Sequence, residues 1–258
     1  MKIVIKIGTS TLTHSTGRTN IRRVADLCRV ISDLKNAGHE IILVSSGAIA
    51  MGVGKLNLST RPSDAPTKQA AAAVGQCELM YIYDRLFAEH NHTVAQLLIT
   101  APDIDDPVRK ENFHNTLERL LAFRVLPIIN ENDTVSTEEL GIGDNDTLSA
   151  TVAASVNADL LVLLSDIDGL YDQDPHINPH ARLIPVVEKL DEHILSLAGG
   201  KGSALGTGGM VTKLHAAQIA TEAGCEMVIA NGWNPDLLYG IVEGEPIGTR
   251  FLAKKVSK

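Results

Sequence analysis

The sequence predicts an α/β fold: a three-layer αβα sandwich built on an open, mostly parallel central sheet. Two observations predict it. Short β-branched, apolar runs alternate along the chain with longer segments whose apolar residues keep helical spacing. Small and polar residues then gather just after the apolar runs, where ligands bind in open parallel sheets. The length of 258 residues, with 44% hydrophobic and 21% charged residues, suits a single domain over residues 1–258 with a sizeable core.

Residues 3–7, Ile-Val-Ile-Lys-Ile, read as a buried strand. Asn20 can cap a helix in which Ile21, Val24, Leu27, Cys28, Ile31 and Leu34 keep helical spacing, and Gly38 ends it. A strand over 40–44 stops at Ser45-Ser46-Gly47-Ala48. An Ala-rich helix is predicted over 69–89, a strand over 93–99, a helix over 107–123 and a strand over 125–129. The second half repeats the alternation: helix 148–156, strand 160–164, helix 210–223, strand 227–230. Residues 166–181, rich in Asp, Pro and His, are the best candidate for an internal boundary, but the apolar pattern resumes at once, so they read as a long loop.

Composition excludes several function classes. The net charge of −8 disfavours a broad basic surface for nucleic acid, and one Trp with four Phe leaves little for stacking platforms. Cys28, Cys77 and Cys225 are widely spaced, form no CxxC pair, and read as small apolar fillers in helices. The chain opens directly with a strand and has no 18-residue apolar stretch, so a cytoplasmic protein is expected. There is no GxxxxGK[ST] loop, no GxGxxG after the first strand, no GxSxG elbow and no HExxH. Asp144-Asn145-Asp146 lacks the Gly and terminal Glu of an EF-hand. His90, His92, His176 and His180 lack metal-ligand spacing and read as solvated; no metal ligand is expected.

What stands out is Glu131-Asn132-Asp133-Thr134 with Gly141-Ile142-Gly143-Asp144-Asn145-Asp146: four acids and two Asn in one irregular segment between two apolar runs. Such a loop can hold an ammonium group, a metal or catalytic lysines. Two lysines are suitable partners. Lys6 sits inside the first strand, where burial is costly unless it reaches an anion, and Gly8-Thr9-Ser10 follows it. The alternative is a gatekeeper lysine on an edge strand. Lys213 lies in the first turn of a predicted helix behind the Gly-rich run 206–209, a suitable anion site or else a surface loop. Two lysines beside phosphate-suited loops, an acidic loop and no obvious nucleophile suit phosphoryl transfer, in which positioning and charge neutralisation do most of the catalysis.

On these residues the chain resembles the glutamate 5-kinases of the amino acid kinase family. Residues 6–10, Val44-Ser45-Ser46-Gly47-Ala48-Ile49-Ala50, Asn130-Glu131-Asn132-Asp133, Gly143-Asp144-Asn145-Asp146, residues 165–171 and residues 206–213 occur in that order there. The resemblance covers essentially the whole chain. It implies ATP-dependent phosphorylation of the side-chain carboxylate of L-glutamate, the first step of proline synthesis, with proline as feedback inhibitor. It implies that Lys6 and Lys213 flank the transferred phosphoryl group and that Asp146 holds both. Ser46, Asp133 and Asn145 match the glutamate-binding positions. Lys6, Ser165 and Asp166, with Thr207, Gly208, Gly209, Met210, Val211, Thr212 and Lys213, match the ATP-binding segments. Magnesium would ride mainly on the ATP phosphates. A homodimer or tetramer is implied, as is hand-off of the labile acyl phosphate to a reductase. Many relatives continue into a C-terminal PUA domain; this chain stops at residue 258, and none is expected in it.

Two alternatives remain open on the sequence. One is another family member acting on acetylglutamate, aspartate or carbamate. An N-acetylated substrate has no ammonium, which would leave Asp133 without a partner. The other is a non-catalytic amino-acid sensor, which would have no use for the lysine pair.

Overall fold

The computed structural model describes residues 1–14, 16, 18–136, 144–175, 177–198 and 209–254. In chain order its elements are β1 (Lys2–Ile7), α1 (Thr9–Leu12), α2 (Ile21–Asn36), β2 (Glu40–Ser45), α3 (Ala48–Lys55), α4 (Ala65–Ala88), β3 (Val94–Ile99), α5 (Ala101–Asp105), α6 (Pro107–Ala122) and β4 (Leu126–Glu131). The second half contributes α7 (Asn145–Ser155), β5 (Leu160–Ser165), β6 (Val186–Val187), α8 (Glu192–Ser196), α9 (Met210–Glu222), β7 (Glu226–Asn231), α10 (Leu237–Glu243) and β8 (Thr249–Phe251).

The strands form one sheet in the order β3-β4-β2-β1-β5-β7-β8-β6. Every pairing is parallel except β7 with β8, which is antiparallel. Alternation along the strands sends residues to two cores. Ile3, Ile5 and Ile7 of β1 pack with Leu27 and Ile31 of α2, Leu79 and Tyr83 of α4, and Leu238 of α10. Val4 faces the other way, among Leu117 of α6, Leu148 and Val152 of α7, and Leu214 of α9. The result is the three-layer sandwich that the sequence predicts.

Capping explains where the helices differ from their predicted bounds. Asn20 accepts from the Arg23 N–H and opens α2, as expected. Helix α4 begins at Ala65 rather than 69, because the Asp64 side chain accepts from the Thr67 N–H at 2.9 Å. Helix α7 begins at Asn145 rather than 148, because the Asp144 carboxylate accepts from the N–H groups of Asp146 and Thr147. The elements not predicted are short: α1, α5, α8, α10, β6, β8 and the glycine-containing α3. Residues 166–181 contain no helix or strand among those described, and β5 and β7 on either side of them pair directly.

The cysteines fit their predicted role only in part. Cys28 is buried in α2, but Cys77 is exposed on α4, and Cys225 is buried in the turn before β7. Likewise His92 is half-buried, its Nε2 3.3 Å from the Ser32 carbonyl, and not simply solvated. His176 lies outside the described residues.

Helix α3 packs on α4 backbone to backbone. A Cβ at Gly75 would lie 1.8 Å from the Ala48 carbonyl oxygen, a contact that cannot be relieved by moving a side chain. Ala48 lies at the start of α3, so this contact fixes how the turn at Ser46-Gly47 meets the strand ends. Gly75→Ala should therefore lower stability by about 2–3 kcal/mol, the upper part of the overpacking range. Urea unfolding midpoints of the two proteins check this; equal midpoints would mean that α3 and α4 separate without cost.

Candidate active site

β1 and β5 are neighbours, and the chain goes on from β1 to β2 on one side and from β5 towards β7 on the other, so a crevice opens between their ends. A cleft of about 370 Å³ lies there. It is lined by Lys6, Ser46, Asp133, Asn145, Asp146, Ser165, Asp166 and Lys213, all named from sequence. The cap residues of three helices, Gly8 of α1, Gly47 of α3 and Asp144 of α7, also line it, so helix N-termini face the cavity. Gly47 has φ +96°, a left-handed conformation that favours glycine and turns the chain sharply from β2 into α3.

At the floor, Asp146 joins the two lysines. Its Oδ1 is 2.7 Å from Lys6 Nζ and its Oδ2 is 3.1 Å from Lys213 Nζ. Thr212 Oγ1 also lies 3.0 Å from Oδ2. All three ionic residues are buried, at 9% exposure for Lys6, 5% for Lys213 and 1% for Asp146. Burial alone would raise the Asp146 carboxyl, but the charges of Lys6 and Lys213 outweigh it and hold the group below the ordinary carboxylate range. Lys6 belongs to the central strand, between Val44 and Leu163, so the gatekeeper alternative fails.

The far wall is neutral and then acidic. Asn145 Nδ2 donates to Ser46 Oγ at 2.8 Å and to the Ser45 carbonyl at 2.9 Å. Asp133 follows, with Glu131 and Arg61 nearby. Burial raises the Asp133 carboxyl, the Glu131 charge adds to this, and Arg61 opposes it; the net result is about 6. At the end of β5, Ser165 Oγ donates to Asp166 Oδ1 at 3.1 Å. Gly209 caps α9, Met210 packs against the core and Val211 is exposed. Thr207 and Gly208, like residues 137–143 of the acidic loop, lie outside the described residues.

Among the lining residues with no assigned role from sequence are Asp144, Asn130 and Arg61. Asp144 spends its carboxylate on capping α7. Asn130 is the penultimate residue of β4 and was visible only within a motif. Arg61 sits in the aperiodic stretch Ser-Thr-Arg-Pro-Ser-Asp and gave no signal. Among the described residues no three His, Cys, Asp or Glu side chains gather to hold a metal. The cleft's own acids are partly committed, Asp144 to backbone N–H groups and Asp146 to lysines. This donor set fits a divalent cation brought in on a polyphosphate better than one held by protein alone.

The model of the amino acid kinase family matches residues 1–231. The chain belongs to that family. It is 52% identical over 258 residues to the glutamate 5-kinase of Clostridium perfringens (strain 13 / Type A), covering 98% of this chain and 96% of that one. It is 54% identical over 253 residues to the glutamate 5-kinase of Clostridium tetani (strain Massachusetts / E88), covering 98% and 95%. Among solved structures, the carbamate kinase from Giardia lamblia bound to AMP-PNP aligns with a TM-score of 0.68 over 98% of each chain, at 19% identity. That likeness concerns the fold alone. No helix among the described residues is long and apolar enough to cross a membrane.

Asp133 carries a pH signature. Its native pKa lies above the unfolded value of 3.8, so its contribution to stability is fully present below pH 3.8 and is lost as pH rises through about 6. Without ligands, Asp133→Asn should therefore be more stable than the parent at pH 7.5, by on the order of 1–3 kcal/mol. The gain should vanish towards pH 4. Denaturant unfolding of both proteins across this range checks the sign; a gain that persists at low pH would assign it to packing.

Proposed function

We infer that the chain is an enzyme that phosphorylates the side-chain carboxylate of L-glutamate with ATP, giving L-glutamyl 5-phosphate in the first step of proline synthesis. The observation that carries this reading is Asp146 bridging Lys6 and Lys213 in a cleft whose opposite wall presents Asp133 and Asn145. Identity above 50% to glutamate 5-kinases over nearly the whole chain supports the choice of acceptor.

The chemistry follows from charge. The attacking carboxylate oxygen is already deprotonated at neutral pH, so no general base is needed. A bond forms from that oxygen to the γ-phosphorus while the bond to the β–γ bridging oxygen breaks, and ADP leaves with the electron pair. Two anions must meet for this to happen. Lys6 and Lys213 flank the transferred group and offset the repulsion, and their charge is placed before the reaction starts. Asp146 orients both lysines and leaves the trio with a net charge of +1 towards the reactants. Ser165 and Asp166, with Thr207 to Lys213, bind the nucleotide. Magnesium, carried on the ATP phosphates, would neutralise part of their charge.

At the other end, the Asp133 carboxylate receives the α-ammonium group, and Ser46 and Asn145 complete the amino-acid subsite. Acetylglutamate would leave Asp133 unpaired, and a sensor would not need the lysine bridge. The product is an acyl phosphate, so its consumer is a reductase that takes it up before hydrolysis. The enzyme works in the cytoplasm, where ATP is abundant, and assembles as a homodimer or tetramer. Its three free cysteines suit that compartment.

A hydroxamate assay with ATP, magnesium and a panel of amino acids tests the reading: glutamate should be the preferred acceptor, and hydroxamate from aspartate or acetylglutamate alone would overturn it. Lys213→Ala should lower kcat by roughly 10²-fold or more, with a smaller effect on glutamate binding. Combining it with Asp146→Asn should cost far less than the sum of the two single losses in log units, because the two residues act as a unit. Losses that add would remove the orienting role from Asp146.

Proline shares the α-carboxylate and α-ammonium groups of glutamate but lacks the side-chain carboxylate. It should occupy the subsite without accepting a phosphoryl group. Inhibition by proline should therefore be relieved by rising glutamate, and Asp133→Ala should weaken both ligands together. Steady-state kinetics over a grid of the two concentrations checks this; inhibition that glutamate cannot overcome would place proline at a separate site.

A further inference from the structure

Behind the cleft lies a buried chain of carboxamides that phosphoryl transfer does not itself require. Gln76 stands on α4 at 7% exposure. Its Oε1 accepts from Asn130 Nδ2 at 2.9 Å. Asn130, at the end of β4, turns its Oδ1 the other way, where it accepts from the Glu131 N–H at 2.9 Å and from Asn145 Nδ2 at 3.1 Å. Asn145 Nδ2 donates also to the Ser45 carbonyl and to Ser46 Oγ.

Two backbone groups fix the orientation of these amides. The Glu131 N–H can only donate, so the Asn130 atom beside it is oxygen. The Ser45 carbonyl can only accept, so the Asn145 atom beside it is nitrogen. The two hydrogens of Asn145 Nδ2 already serve three acceptors, so that nitrogen has nothing left for a ligand. What Asn145 offers the cleft is Oδ1, an acceptor. Ser46 Oγ accepts from Asn145, which leaves its own proton to be donated elsewhere.

Gln76 completes the relay in an unusual way. Its Nε2 is buried and has no hydrogen-bond partner among the described residues. A buried donor left unsatisfied is destabilising. The Gln76 nitrogen therefore does not account for an amide at this position. The acceptor oxygen does: without it, Asn130 Nδ2 has no partner and the carboxamide that meets Asn145 is free to turn.

We propose that Gln76, acting through Asn130, is a positioning residue that holds Asn145 with its carbonyl directed to the ammonium group of the amino-acid substrate. This rests on the glutamate reading above and extends it. The ammonium end of the subsite is then built of acceptors alone, the Asp133 carboxylate and Asn145 Oδ1, while Ser46 supplies a donor for the α-carboxylate. An ammonium group has three protons and can serve both acceptors. An α-hydroxy analogue has one proton, serves one acceptor and leaves the other bare.

The test uses Gln76→Leu, which removes the acceptor, and Gln76→Glu, which retains an oxygen facing Asn130. Gln76→Leu should raise the glutamate KM about 10-fold, with kcat and the ATP KM within about 3-fold of the parent, the pattern of lost ground-state binding. Gln76→Glu should return the glutamate KM to within about 3-fold of the parent. An unmoved KM in Gln76→Leu, or equal rises in both variants, overturns the proposal. Should Gln76→Leu fail to fold, the parent protein decides by NMR. On addition of glutamate, the Asn145 side-chain carbonyl carbon should shift while its NH2 protons stay in place and remain slow to exchange. Movement of the NH2 protons instead would mean that Asn145 donates to the substrate, and would overturn the proposal. Absence of hydroxamate from the parent enzyme with glutamate would sink the glutamate reading and this inference with it. Normal parental turnover with an unmoved KM in Gln76→Leu would sink the inference alone.

Discussion

One buried carboxylate holding two buried ammonium groups at the floor of a cleft is the constraint on which the rest of this structure depends. Lys6 and Lys213 come from elements more than 200 residues apart, the central strand and the helix α9. Side by side in a partly buried site they would repel. Asp146 makes the pair tolerable by giving each lysine its own oxygen. Its position is set in turn by Asp144, which starts α7 three residues before the apolar pattern begins. A cap, a strand and two helices therefore converge on a single charge balance. That balance is deliberately incomplete, because two cations and one anion leave a surplus of +1 for an incoming phosphoryl group.

The opposite wall has the opposite imbalance. Burial and Glu131 push the Asp133 carboxyl up to about 6, so the ligand-free chain holds a carboxylate that is less favourable there than in water. Neither end is arranged for its own stability. On the proposed reading, an amino acid with an ammonium group at one end and a carboxylate at the other would relieve both in one orientation, with its side-chain carboxylate towards the lysines.

Much of this was legible in the sequence, for identifiable reasons. A lysine within Ile-Val-Ile-Lys-Ile is conspicuous because a central strand tolerates no idle charge, and the acidic loop stood out between two apolar runs. The six-residue strands and the helices of eleven residues or more carried enough periodicity to be found. Strands of two or three residues and helices of eight or fewer did not: α1, α3 and β8 are held by tertiary contact rather than propensity, and the glycines of α3 argue locally against a helix. Roles that depend on geometry were legible only through the family resemblance. The local pattern of Asp144-Asn145-Asp146 does not tell which residue caps, which faces the acceptor and which pairs with lysine, and the resemblance assigned no role to Asp144. Arg61 and Gln76 reach the site, directly or through Asn130, from segments whose local pattern signals nothing.

The fold does not choose the phosphoryl acceptor. A carbamate kinase with 19% identity has the same architecture over nearly its full length, and a lysine pair steadied by an acid would serve any anionic acceptor. Selection must lie in the groups that face the rest of the acceptor, and those groups sit on the turn after β2, the end of β4 and the first turn of α7. These three segments meet through Asn145, whose nitrogen ties the Ser45-Ser46 turn to Asn130. The turn is fixed from behind by the contact of α3 with Gly75, one residue before Gln76 on α4. On the proposed reading, helix α4 sets the shape of the amino-acid subsite through a glycine that admits α3, and its polarity through the neighbouring amide. Changes in α4 should then alter which acceptor is taken while leaving the lysine bridge, anchored on α7 and α9, in place.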